Sequence, residues 1–431
     1  MEPDEIKISF WPEASVRDGK GSGAALGEIT TGLYSTLAFD LLKQLHEAQD
    51  LPMPIKEVIE RYLIGAGRKV GKLQRKGYKE GESTPSFQML TGIFLYYALG
   101  GCSTVGTALG TAFTDTVASV TGYNLTMTDH LAMTNDEHIG RMVEVTSGDN
   151  TGSVYWIWDN AAGTLSLYPQ PPANIAADGI KITEAPFTHT LSEGARKSFA
   201  MHLEFLESGE EVYIDLLGCM VKALEITMEV GSETPIMIAP ELVVLKFVEG
   251  AALTEPDVLE KEYFTHANLS TLTLTYNSAA VDSDLINQCD KVVVRIENDV
   301  EVRPVWNDSF PNKTKAGTLM YKVTLHTAIR NNTWYSIFSA DCPNYASQYG
   351  ETGYYATAIA FLVKVARSAS DYWQFGFDQM RMDSESIPYK LISWEERELE
   401  MDIVFFNAPG GALENTKVVD DLHCGYYERG G

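Results

Sequence analysis

The sequence predicts a mainly β protein: antiparallel β-sandwich or barrel modules, two in number and open to being a duplication, with one or two short helices. Three observations predict it. From about residue 150 onward, polar and apolar residues alternate with period two, which places alternate side chains on opposite faces of a sheet. Clusters of Gly, Asn, Asp and Ser interrupt the alternating runs, as turns do. The spacing of runs and turns suits antiparallel sandwiches better than alternating β-α units.

Taken in order, Leu37 to Glu47 (LAFDLLKQLHE) and Met89 to Leu99 (MLTGIFLYYAL) read as helices, the second ending at Gly100-Gly101; strand stays open for both. The clearest strand is Val221 to Val230, with Leu224, Ile226, Met228 and Val230 on one face and Ala223, Glu225, Thr227 and Glu229 on the other. The same pattern puts Leu272, Leu274 and Tyr276 opposite Thr271, Thr273 and Thr275. It puts Tyr321, Val323, Leu325 and Ile329 opposite Lys322, Thr324 and His326, and Leu399, Met401, Ile403 and Phe405 opposite Glu398, Glu400 and Asp402. Turns are expected at residues 147–150, 207–210, 307–308 and 409–411. An internal echo runs from Phe187-Thr188-His189 to Cys219–Ile226 and again from Phe264-Thr265-His266 to Cys289–Ile296. It reads either as a duplication or as the common look of alternating strands. The implied division is an N-terminal arm over 1–53, a first β module over 54–250 and a second over 251–431, with the boundary near 250–257.

Composition excludes several classes. The 431 residues carry 33 Lys and Arg against 59 Asp and Glu, a net charge of −26, with 45% hydrophobic and 21% charged residues, as in a globular protein. So acidic a chain without a basic stretch repels phosphates and is not a conventional nucleic-acid binder. The start, MEPDEIKISFWPEASVRDGKG, is acidic where a signal peptide is positive, and no apolar core follows, so no secretory route is expected. The most apolar stretches reach about ten residues, half of what roughly 30 Å of bilayer requires, so no membrane span is expected. Cys102, Cys219, Cys289, Cys342 and Cys424 are scattered and odd in number, which suits reduced packing residues.

Motifs that carry chemistry are sparse. Gly19 to Gly23 (GKGSG) follows no apolar strand and reads as a flexible arm rather than a dinucleotide loop. Gly65 to Leu73 (GAGRKVGKL) has the wrong glycine spacing for a phosphate loop, with Leu73 where Ser or Thr is needed, and reads as a basic loop between strands. None of the eight histidines makes a zinc pattern. Asp129-His130 and Asp136-Glu137-His138 bring carboxylates near imidazoles, which suits a metal, a general base or simply a polar loop. Glu225 with Glu229, and Glu398 with Glu400, are either paired catalytic carboxylates or a solvated face, and the face is the simpler reading. No catalytic, metal-ligating or cofactor-binding residue is assigned, and no cofactor is expected.

One ordered set of motifs stands apart. A short apolar segment closes on Ala98-Leu99-Gly100, followed by a Thr- and Gly-rich stretch and by Phe187-Thr188-His189-Thr190. Then come Gly218-Cys219-x-Val221-x-Ala223-Leu224-Glu225-Ile226-Thr227 and Lys291 to Asn298 (KVVVRIEN), which leads to Gly317-Thr318 and another alternating strand. This order resembles the major tail tube proteins of long-tailed viruses of bacteria or archaea, over residues 54–338. The resemblance implies a β-sandwich subunit without enzyme activity. Its sheets would join edge to edge in rings, hexameric or trimeric with pseudo-sixfold symmetry, that stack into a hollow tube for genome ejection. It also implies a place in the virion tail, with synthesis in the host cytoplasm. The implied partners are other copies of the chain, tail terminator, tape measure and baseplate or tip proteins, and double-stranded DNA that passes without specific binding.

On physical grounds, strands with one apolar and one Thr/Glu side suit a barrel continuous between subunits, which removes exposed edges. An acidic lumen would let DNA slide without sticking. The candidate lumen-facing residues are Glu225, Thr227, Glu229, Arg295 and Glu297. The alternatives are a surface β-sandwich that binds carbohydrate or cells through Trp156, Trp158, Trp306, Trp334, Trp373 and Trp394, a two-carboxylate hydrolase, and the inner tube of a contractile injection machine.

Overall fold

The structure is a computed structural model that describes residues 7–12, 58–63, 71–76, 81–90, 92–109, 113–130, 133–135, 137–138, 140–168, 171–194, 197–207, 210–231, 235–249, 262–276, 278–303, 313–315, 317–329, 334, 359–382, 399–407 and 411–420. The expected helix at Leu37 to Glu47 and the turns at 307–308 and about 208 lie outside them. The chain begins with β1 (Lys7–Pro12), β2 (Val58–Leu63), β3 (Gly71–Lys76), β4 (Gly81–Ser83) and β5 (Phe87–Gln88), then helix α1 (Ile93–Leu99). There follow β6 (Gly100–Ala108), β7 (Thr114–Thr121), β8 (Asn124–Met127), β9 (Met142–Val145), β10 (Val154–Ala161), β11 (Thr164–Tyr168), β12 (Gly179–Glu193) and β13 (Phe199–Glu207). Next are β14 (Glu210–Glu229), β15 (Met237–Val244), β16 (Lys246–Glu249), β17 (Leu269–Tyr276), β18 (Ala279–Ala280), the short helix α2 (Leu285–Gln288) and β19 (Cys289–Glu297). The chain closes with β20 (Glu301–Arg303), β21 (Lys313–Lys315), β22 (Met320–Ile329), β23 (Ile359–Ala366), β24 (Tyr372–Met382), β25 (Leu399–Asn407) and β26 (Lys417–Asp420). The protein is mainly β, and among the described residues every strand pair is antiparallel, as the alternation and turn spacing predict.

Two runs of strands enclose one core. The first run is β15-β14-β19-β22-β25 and the second β6-β12-β26-β24-β23-β17. Strand β24 belongs to both, because its start pairs β26 at Tyr372↔Val419 and its end pairs β25 at Met380↔Asn407. Leu224, Ile226, Val294, Ile296, Val323, Leu325, Ile403 and Phe405 point inward from the first run, and Leu272, Leu274, Phe361, Val363, Trp373 and Phe375 from the second. Helix α1 plugs the space: all seven of its residues are buried, and it ends on Gly100 in the left-handed conformation that its C-cap requires. It starts at Ile93 rather than Met89, because the Met89 backbone is already used: its N–H donates to Ile236 O, and its carbonyl accepts from Phe264 N–H. Ile236 N–H donates in turn to Phe264 O, so three separate segments meet in one backbone ring. Arg367 fastens the same place. Its guanidinium lies 4.0 Å from the Phe264 ring, donates to Leu90 O at 3.0 Å and to Glu262 O, and pairs with Asp371 at 2.8 Å.

A second, separate core sits in a closed barrel inserted between β6 and the end of β12. Its pairings run β7-β8-β11-β10-β9-β12 and back from β12 to β7, so six strands close with no free edge. Val117, Leu125, Val143, Tyr155, Ile157, Leu165, Ile180 and Ile182 fill it. Strand β12 serves both units: Ile180 to Thr183 pair with the barrel and Thr188 to Glu193 with the main body, with a break in register between Glu184 and Thr188 that re-aims the strand.

Strand β14 is likewise shared. Its 20 residues span about 65 Å of extended chain. The first half pairs β13 and β16, and with β1 on the far side of β13 this makes a four-stranded sheet, β1-β13-β14-β16. The second half pairs β15 and β19 in the main body. The hinge between them is Gly218, at φ +67.

Three expectations change. Val230 is 55% exposed rather than buried, because β14 ends at Glu229 and the chain turns outward. The echo breaks at its start: Phe187 to His189 lie in β12, whereas Phe264 to His266 lead into a single 3₁₀ turn capped by Thr265 and Asn268. Cys219–Ile226 and Cys289–Ile296 lie side by side, with Glu225 opposite Arg295 in one sheet. Residues from both sides of the 250–257 boundary fill one core.

At Gly218 an added Cβ would meet Leu245 at 2.9 Å in a conformation that disfavours any L side chain. Gly218→Ala is therefore expected to lower unfolding stability by about 1–3 kcal/mol, measured by chemical denaturation.

Candidate functional site

The five residues singled out in the sequence share one surface. Glu225, Thr227 and Glu229 alternate with buried Leu224, Ile226 and Met228 on β14, and Arg295 and Glu297 alternate with Val294 and Ile296 on β19. Antiparallel register sets Glu225 opposite Arg295, Thr227 opposite Val293, Glu229 opposite Lys291 and Ala223 opposite Glu297. The rows continue onto β22 and β25: Arg295 faces Lys322, which faces Phe406, and Lys291 faces His326, which faces Asp402. Directly opposed side chains on one face sit close enough to pair, and here Glu225 with Arg295, Glu229 with Lys291 and Asp402 with His326 do.

Arg295 is the hub. Its Nε donates to Glu297 at 2.6 Å, its Nη1 to Glu225 at 3.2 Å, and Nη2 lies 3.8 Å from Glu241. The hydrogen bond that Arg295 donates to Glu297, followed by the one it donates to Glu225 and the charge of both carboxylates, outweighs burial and pushes the guanidinium pKa up. Lys222 pairs with Glu241 at 3.0 Å, Lys291 with Glu229 at 3.4 Å, and His326 with Asp402 at 3.0 Å. Glu225 and Glu297 share Arg295, Glu241 pairs with Lys222 and Glu229 with Lys291, so the face is interleaved with bases rather than uniformly acidic. Beside it lies a groove of about 380 Å³, lined by Lys222, Glu241, Arg295, Glu297, Asp299 and Thr318 among others. Its arginine is committed to carboxylates, so it offers an incoming anion little.

The histidine segment forms a second polar cluster, at the inserted barrel. Asp115, almost buried on β7, accepts from the backbone N–H groups of Thr116, Asp129 and His130 and from His130 Nδ1 at 2.9 Å. Burial raises its pKa, but these hydrogen bonds, His130's first, leave it lowered. Phe113 stacks on His130 and meets His138 edge to face, with centroids 5.8 and 5.1 Å away. His138 is fully buried: Asn160 Oδ1 accepts its backbone N–H at 2.7 Å, and Arg141 donates to Nδ1 at 2.6 Å. A guanidinium only donates, so Nδ1 is the acceptor and Nε2 carries the hydrogen of a neutral ring. Burial, then the Arg141 charge, lowers the His138 pKa below 6.5. Here the residues Asp129, His130 and His138 build a packed polar support. Among the described residues no three His, Cys, Asp or Glu side chains gather as a metal site.

Other candidates fall into the core. Trp156, Trp334 and Trp373 are 4%, 0% and 0% exposed and are closed to stacking on a sugar; the side chains of Trp158, Trp306 and Trp394 lie outside the described residues. Burial pushes the Cys289 thiol up to about 12, which suits a packing role. Sequence reading missed Lys222, Glu241, Lys291, Lys322 and Asp402 as members of the face. Their alternation was visible, but register, which decides who stands opposite whom, was not.

No protein-family model matches the chain, and no curated protein matches its sequence. Among the described residues no helix is long and apolar enough to cross a membrane.

Two outcomes are expected. Arg295→Gln leaves three carboxylates facing one another and costs about 1 kcal/mol at low ionic strength, a loss that added salt partly restores in urea titrations. His138 binds its proton less readily folded than unfolded, so its contribution to stability is present above about 6.5 and is lost as pH falls below it. Stability should drop between pH 7.5 and 5.5, and His138→Asn, which keeps an acceptor near Nδ1 but cannot titrate there, should flatten that slope.

Proposed function

We propose that the chain is a structural subunit that self-assembles into stacked hollow rings, the tail tube of a long-tailed virus, through which double-stranded DNA leaves the capsid. The observation that carries this reading is β14. A 20-residue strand runs out of the main core into a second four-stranded sheet, whose outer strands β1 and β16 are paired on one side only among the described residues. Open edges invite another chain, and pairing between copies is the way to satisfy them. The mainly β, all-antiparallel architecture fits such a subunit, and the ordered motifs noted in the sequence point the same way.

On this reading Glu225, Thr227, Glu229, Arg295 and Glu297 line the lumen as a salt-bridged wall. Such a wall would pass DNA because its cations are already committed to carboxylates, not because it is uniformly negative. The partners are further copies of the chain, the proteins that cap and fill the tail, and DNA in transit.

Negative-stain electron microscopy of the purified chain, with mass measurement of any rings, tests the reading. Hollow tubes or stacked rings of three or six copies are expected. A monodisperse monomer at all concentrations would overturn it.

A further inference from the structure

The second run of strands carries an outer face unlike the rest of this acidic chain. On β12, Phe187, His189 and Leu191 point inward, so Thr188 and Thr190 point out. Register extends them into two rows. One is Val105, Thr188, Val419 and Tyr372, across β6, β12, β26 and β24. The other is Ser103, Thr190, Lys417, Gln374 and Lys364, which reaches β23. At about 4.8 Å between strands, the second row is roughly 20 Å long. Neither row holds an Asp or Glu, in a chain with 59 of them. Along β12 the flanking carboxylates are Glu193, which accepts from the Tyr321 hydroxyl at 2.9 Å, and Glu184, which lies beyond the register break 3.5 Å from Arg141.

The two lysines differ from those of the ion-paired face. Lys364 Nζ lies 3.8 Å and Lys417 Nζ 5.7 Å from the centre of the Tyr372 ring, and among the described residues neither has a carboxylate within 4.0 Å. Within the described residues, then, the Tyr372 ring is the contact these two charges share. Val105, 59% exposed, is one of two large apolar side chains that stand out in water among the described residues. Val419 and Gln374 are themselves buried, so what the face offers is Val105, the half-buried Tyr372, the hydroxyls of Ser103, Thr188 and Thr190 and the two lysines, without the carboxylates that interface cores avoid.

We propose that this face is where a second copy of the chain docks. Two molecules of charge −26 repel, and carboxylates brought together at an interface cost several kcal/mol. Copies therefore meet most cheaply where one side presents no carboxylate and two lysines await some. A copy of this chain is rich in carboxylates, and among the described residues Lys364 and Lys417 have none within 4.0 Å. Duplex DNA would find two cations here and net repulsion elsewhere. The inference rests on the assembly part of the reading above and not on its viral setting.

The test is sedimentation velocity and negative-stain microscopy of the full chain in 0.15 M salt. Thr190→Glu and Lys417→Glu place a carboxylate in the second row, and Thr121→Glu places one at an exposed position on the inserted barrel as the control. Circular dichroism melts confirm folding, and two independent variants guard against one that fails to fold. Expected is at least tenfold weaker self-association for Thr190→Glu and Lys417→Glu, with Thr121→Glu like the unaltered chain. Unaltered tubes from Thr190→Glu and Lys417→Glu would overturn the inference and leave the tube reading standing. Closed dimers in place of tubes, dissolved by the same variants, would uphold it and sink the tube reading. A strictly monomeric chain overturns both. Duplex DNA binding lost in Lys417→Glu, with self-association unaffected, would assign the face to nucleic acid instead.

Discussion

Everything in this protein depends on giving each two-faced strand a dry side without leaving its backbone unpaired. The main body meets both demands by wrapping two runs of strands around the buried helix α1 and joining them through β24. The wrap is fastened where Met89, Ile236 and Phe264 exchange backbone hydrogen bonds under the guanidinium of Arg367. Three distant segments end there, so the core that holds Leu224, Leu274 and Phe375 relies on that junction. The inserted barrel meets the same demands more simply, by closing six strands on themselves.

Shared strands are the second theme. β12 and β14 each leave one unit and enter another, with a register break in the first and Gly218 in the second as the points of redirection. A strand that belongs to two sheets transmits its orientation rigidly, since it cannot rotate in one without breaking hydrogen bonds in the other. The four-stranded sheet around β13 is thus tied to the body through the continuous strand β14, redirected at Gly218.

Charge is organised with equal economy. A chain of −26 gathers acids and bases into cross-strand pairs on the face of β14, β19 and β22, while the rows around Tyr372 are kept free of acids. In so acidic a chain that contrast sets where on the surface the negative potential is weakest.

Read alone, the sequence determined the mainly β, antiparallel character, the inward set of most strands, the end of α1 at Gly100, and the outward position of Glu225, Thr227, Glu229, Arg295 and Glu297. These follow from period-two alternation and local cap chemistry, which are properties of neighbours along the chain. Only the tertiary structure decided that Glu225 stands opposite Arg295, that residues on both sides of 250–257 fill one core, that six strands close into a barrel, and that Lys364 and Lys417 flank one tyrosine. Those facts turn on register and on pairing between residues far apart in sequence. A period-two pattern states which face a side chain takes and nothing about its cross-strand neighbour, because a shift of two residues leaves the pattern unchanged and replaces every partner.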